Sequence, residues 1–141
     1  MSDSTAIADA IVNLLNGTDW GQAISAARAE LAYEDLPSAS TTFVLVIPDD
    51  LTDELISNAS TSHDQAVAVI VQRHVSEETD LTQTDPLRGL VDAIGGALLA
   101  QGLYAAGGVW ACTGLTRGRV EECLYTKNQY LGYCLSTWKW M

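Results

Sequence analysis

The chain has 141 residues, 48% of them apolar, which suits one domain with a buried core. Its formal net charge is -11, from 18 acids against seven bases that form no cluster. Contacts to a phosphate backbone use Lys and Arg, so this balance argues against a nucleic-acid partner.

The opening MSDSTAIADA lacks the basic start and apolar stretch of a secretion signal, so a cytoplasmic product, or one packed into a particle assembled there, is expected. No later run reaches the length of a membrane-spanning helix. Ser4 can cap a first helix that stops at Asn16-Gly17. Ile7, Ile11, Leu14 and Leu15 recur on one face of it, the core-facing stripe of an amphipathic helix.

A turn with Trp20 follows, and then Gln22 to Tyr33. Alanine propensity favours a helix there, yet Ala27, Ala29, Leu31 and Tyr33 alternate with Arg28, Glu30 and Ala32 as in a strand. After a linker from Glu34 to Thr42, Phe43 to Ile47 (FVLVI) reads as a strand ending at Pro48. Asp49 to Asp64 is a long acidic loop with room for one helical turn at Leu51 to Ile56. Loops of this length between paired strands commonly contact something. A solvated hairpin tip fits its composition equally well.

The central strand is Gln65 to Val75 (QAVAVIVQRHV), expected to be covered on both faces and paired with FVLVI. Ser76 to Thr84 crosses to a second helix, which Asp85-Pro86 opens and Gly102 closes. Its buried face is Leu87, Leu90, Val91, Ile94 and Leu98. Gly95-Gly96 inside it weakens the helix by about 1 kcal/mol per glycine, which close approach to a strand would offset. Ala105 to Gly108 reads as a loop, Val109 to Thr113 as a short strand, and Gly114 to Gly118 as a turn. Val120 to Thr126 fits a strand or a helical turn. Lys127-Asn128 leads into a last strand, Gln129 to Trp140. Its alternation puts Leu131, Tyr133, Leu135 and Thr137 on one side, and Cys134, Ser136, Trp138 and Trp140 on the other.

Little here carries chemistry. His63 and His74 are the two imidazoles, and neither sits in a nucleophile motif. Cys112, Cys123 and Cys134 are odd in number and form no CxxC pair, which reads as buried thiols rather than a zinc site or disulfide framework. Acidic pairs such as Glu77-Glu78 and Glu121-Glu122 lack the EF-hand spacing. No catalytic residue, metal or cofactor is expected, and the chain reads as a non-enzyme. The charge is uneven: residues 1 to 85 hold 15 acids and two bases, residues 86 to 141 three acids and five bases. A solvated acidic half accounts for this, and so does a means of pairing unlike faces. Trp138 and Trp140 on one side of a strand either complete the core or bury against another subunit.

The element order, together with SDSTAIADAIVNLLN, AARAELAYEDLPSASTTFVLVIP, QAVAVIVQRHV, DPLRGLVDAIGGALLAQGL and QYLGYCLSTWKW, resembles the tail terminator (tail completion) proteins of tailed bacteriophages. The resemblance runs along almost the whole chain and involves no catalytic motif. It implies an α+β domain, a mostly antiparallel sheet of four to five strands flanked by two main helices, with Gln22 to Tyr33 as a strand. It also implies a virion protein that forms a ring, typically of six copies. Such a ring caps the tail tube and meets the head–tail connector or stopper protein, with no membrane partner. The expected interface residues are Asp49, Asp50, Asp53, Glu54, Asn58 and His63 in the loop, Arg117 and Arg119, and Trp138 and Trp140. The loop departs from the family in being markedly acidic and free of arginine. A head-closure or neck adaptor, or a non-enzymatic binding module, are the competing readings.

Overall fold

The computed structural model describes residues 3–32, 36, 41–49, 65–75, 81–120 and 128–141. Its elements in chain order are α1 (Asp3–Asn16), β1 (Ser25–Arg28), β2 (Phe43–Asp49), β3 (Gln65–His74), α2 (Leu81–Ala100), β4 (Leu103–Ala105), β5 (Gly108–Arg119) and β6 (Gln129–Trp140). The six strands form one sheet in the order β1-β2-β3-β6-β5-β4. β1 runs parallel to β2, and every other neighbouring pair is antiparallel. This is an α+β fold, with two helices on a mostly antiparallel, strongly curled sheet. The curl is visible in α1, which touches β1, β2 and β3 and also β4 at the opposite end of the strand order. α2 packs on β5 and β6.

Both helices bury the faces their periodicity marks. Ile7, Ile11 and Leu15 of α1 and Leu87, Leu90, Val91, Ile94 and Leu98 of α2 are buried in one cluster with Val44, Val46, Val67, Val69 and Val71. Each such side chain contributes about 1.5–3 kcal/mol by leaving water. The end of α1 is well satisfied. Gly17 N–H donates to the Asn13 carbonyl (3.0 Å), Thr18 Oγ1 to Leu14 (2.7 Å) and Trp20 Nε1 to Leu15 (2.9 Å). α2 begins at Leu81, a turn before Asp85-Pro86, so Pro86 lies inside the helix. The Pro86 carbonyl accepts from Gln22 Nε2 at 3.0 Å.

The alanine-rich segment, which its residues leave open and the resemblance implies to be a strand, forms one over Ser25–Arg28, because pairing with Phe43–Val46 outweighs helix propensity. Other expectations change. β3 is central, with Val67, Val69 and Val71 buried on the side of the helices; on the other face Ala66, Ala68 and Ile70 are half-buried and Gln72 is buried. The loop expected at 105–108 is a two-residue turn: Ala105 pairs with Gly108, and Ala106 (φ 51°) and Gly107 (φ 81°) take the left-handed conformation of a tight hairpin. The turn expected at 114–118 is instead the continuation of β5. A bulge between Cys112 and Gly114 breaks its alternation, and the Tyr133 ring lies over Gly118, where a Cβ would meet its hydroxyl at 2.6 Å. β1 and β4 thus bring the strands to six, against the four to five expected. The predicted helical turn at 51–56, most of the 34–42 linker, the 76–80 crossing and the 121–127 segment lie outside the described residues.

Candidate interaction surface

Register decides which side chains share a face. On β6, Tyr130, Gly132, Cys134, Ser136 and Trp138 face the helices and are buried, while Leu131, Tyr133, Leu135 and Thr137 face away. Cross-strand partners share a side, so Leu115, Arg117 and Arg119 lie on the helix side of β5, and Gly114, Thr116 and Gly118 on the other.

The ten predicted interface residues separate into three groups. Asp50, Asp53, Glu54, Asn58 and His63 lie outside the described residues, and Asp49 is the last residue of β2, opposite Ala66. Arg117 and Arg119 come together in a cleft of about 330 Å³ where the edge of α2 meets the sheet, beside Arg88, Asp92 and Tyr130. Arg117 Nη1 reaches Asp92 Oδ1 at 3.3 Å. Burial pushes the Tyr130 phenol up, while the charges of Arg88 and Arg119 and a hydrogen bond from Arg88 act in the opposite direction. Arg117 thus has an ion-pair partner within the chain, at a half-exposed site.

The two C-terminal tryptophans have different environments. Trp138 is 0% exposed, and its Nε1–H donates to Ser136 Oγ (2.9 Å), whose hydroxyl donates to the Val67 carbonyl (2.7 Å). Its expected place at an interface is therefore corrected: the curled sheet encloses it in the subunit's own core. Trp140 is 50% exposed, stands edge-on to Trp110 at 5.1 Å and 85°, and covers Gly108. It remains available to a partner.

The sheet face turned away from the helices holds what the residue-by-residue reading missed. Ala66, Ala68, Gly114, Thr116, Leu135 and Thr137 line a shallow depression of about 340 Å³ there. Leu135 in this lining is 50% exposed, and on the same side of the sheet Tyr104 and Val109 stand opposite one another across β4 and β5, 75% and 44% exposed. A signal was present in the sequence: Ala93 to Thr116 contains no charged residue. Among the described residues no group of His, Cys, Asp and Glu is placed to hold a metal ion, and no helix is long and apolar enough to cross a membrane. Cys134 is buried with its thiol pushed up to about 11, chiefly by burial, and Cys112 is raised for the same reason. A neutral buried thiol is a poor nucleophile and a poor metal ligand.

No protein-family model matches the chain, and no curated protein matches it.

Proposed function

We propose that the chain is a structural protein of a bacteriophage virion that closes the tail tube as a ring of copies and joins it to the head connector. One observation carries the reading. The alanine-rich segment pairs as a strand at Ser25–Arg28, as the resemblance to tail terminator proteins implies and helix propensity alone would not give. Two further features support it. The sheet side away from the helices presents apolar residues to solvent, which suits docking. The sequence is acidic up to residue 85 and slightly basic after it, which suits a head-to-tail contact between unlike faces, the kind that closes into a ring. The partners are then further copies of the chain, the tail tube protein and a connector or stopper protein, in a particle assembled in the host cytoplasm.

The test is to mix the purified chain with purified tail tubes and image tube ends by electron microscopy, with native mass spectrometry of the free chain. The expected result is a ring, typically sixfold, at one end of the tube. A chain that binds neither tube ends nor connector while remaining folded would remove the reading.

A further inference from the structure

The cleft between α2 and the sheet gathers positive charge in a chain that has little of it. After residue 85 the sequence holds five bases, and three of them, Arg88, Arg117 and Arg119, line this space of about 330 Å³. Asp92 is the one acid in that lining among the described residues. Three positive charges against one negative leave a formal excess of two. Like charges gathered in one place repel, so negative charge brought between them lowers the energy.

The donors are also held in position by the chain. The Arg117 stem crosses α2 at Gly95, where a Cβ would meet its Cδ at 3.0 Å, and its guanidinium reaches Asp92 at 3.3 Å. Gly95, which costs the helix stability, thus makes room for this arginine. Arg88 lies one turn before Asp92 on α2 and donates a hydrogen bond to the Tyr130 phenol, which is 3% exposed. Gly132 seats that ring, since a Cβ there would meet Tyr130 Cε1 at 2.9 Å and Oη at 3.3 Å. Gly132 is the cross-strand partner of Arg119, so the phenol and this third arginine stand on neighbouring strands. With Arg88 donating to its oxygen, the phenol keeps its own O–H as a further donor. Guanidinium forks match the oxygens of carboxylates and phosphates, and donors already ordered lose less freedom on binding. A carboxylate brings two oxygens and one charge, too few for this set. A phosphate monoester brings three acceptor oxygens and a charge of about -1.5 to -2 at pH 7, which matches it. A phosphodiester carries a single charge, and the net charge of -11 opposes a nucleic-acid strand.

We propose that the cleft formed by Arg88, Arg117, Arg119 and Tyr130 is a binding site for a dianionic phosphate group, carried by a monoester or as free phosphate. The site does not depend on the ring reading. Inorganic phosphate is titrated into the full chain near pH 8, where the dianion prevails, at constant ionic strength and followed by amide NMR. Acetate, phenyl phosphate and a short single-stranded DNA are the comparison probes. The expected result is saturable shifts at residues 88, 117–119 and 130, half complete at about 1 mM phosphate. Arg88→Gln and Arg119→Gln should each weaken binding by about tenfold, and Arg28→Gln, on β1, should leave it unchanged. Asp92→Asn should tighten binding by about threefold or more, which the loss of a purely structural ion pair would not do. Phenyl phosphate binding tighter than phosphate marks a monoester as the occupant, and weaker binding marks free phosphate. Circular dichroism shows that each variant is folded, and the wild-type titration decides by itself where one is not. Failure to saturate below about 50 mM phosphate overturns the site, the cleft then being neutralised within the chain. Equal binding of acetate, tighter binding of DNA, or equal weakening by Arg28→Gln also overturns it.

Discussion

The buried Ser136–Trp138 pair makes a sharp test of how this core is held. Ser136 is 1% exposed and Trp138 0%, so neither reaches water. Replacing Ser136 with Ala removes the acceptor of the indole N–H and leaves a buried donor unpaired. That desolvation penalty is about 1–3 kcal/mol. The Val67 carbonyl also loses the donor it receives at 2.7 Å, which contributes about another 1 kcal/mol. The expected loss for Ser136→Ala is therefore about 2–4 kcal/mol, a large share of a typical total of about 5–15. Urea denaturation followed by circular dichroism, at dilutions where the chain is monomeric, should show the midpoint falling by about 1 M or more. Trp138→Phe provides the control. It is destabilising itself through lost packing, but it removes the donor, so Ser136→Ala should cost about 1–2 kcal/mol less in that background. A coupling below about 0.5 kcal/mol would refute the claim that the indole depends on the serine.

Further outcomes follow from neighbouring features. Gly96 has open space where a Cβ would stand, whereas a Cβ on Gly95 would meet Arg117 Cδ and Leu115 Cδ2 at 3.0 Å. Gly96→Ala should therefore raise stability by about 0.5–1 kcal/mol, and Gly95→Ala should fail to gain that increment in the same thermal melt. Ala106 sits at φ 51°, so Ala106→Gly should stabilise the β4–β5 turn by up to about 1 kcal/mol, read as a higher melting temperature. Folding raises the Cys134 thiol from its ordinary 9.0 to about 11, so the folded state holds the proton more tightly than the unfolded one. The stability this contributes is fully present below pH 9 and is lost as pH rises toward 11, and Cys134→Ala should flatten the wild-type decline measured by denaturation across that window. The Arg28–Asp9 pair (3.5 Å) is half-exposed, so Arg28→Ala should change stability by no more than about 1 kcal/mol, and less at high salt.

What the sequence made legible tracks how locally each feature is determined. Continuous apolar runs marked β2 and β3, and period 3.6 marked the buried faces of both helices, because these signals need no knowledge of the rest of the chain. Alternation along 129–140 sorted β6 correctly into two sides. It did not separate Trp138 from Trp140, because the difference between them is how far the curled sheet reaches. β1 was ambiguous since its strand character comes from Phe43–Val46 alongside it, not from its own alanines. The β4–β5 hairpin was obscured by Ala105-Ala106-Gly107-Gly108, where small residues hide the alternation, and by a bulge that shifts the period halfway along β5. Arg117 and Arg119 were singled out, but their placement beside Arg88 and Tyr130 depends on register with β6. The exposed apolar residues on the far side of β4–β6 were half legible: the charge-free run 93–116 stands in the sequence, and its exposure required the fold.

The strand order has a consequence for synthesis on the ribosome. β6 lies between β3 and β5 at the middle of the sheet, yet it is the last strand in the chain. At about 5–20 residues per second, roughly 3 to 13 seconds separate the emergence of His74 from that of Trp140. Through that interval a nascent β3, rich in valine, waits with one edge bare. Ribosomes queued on one message would hold several such edges close together, so sparse spacing of ribosomes should favour the yield of properly folded product.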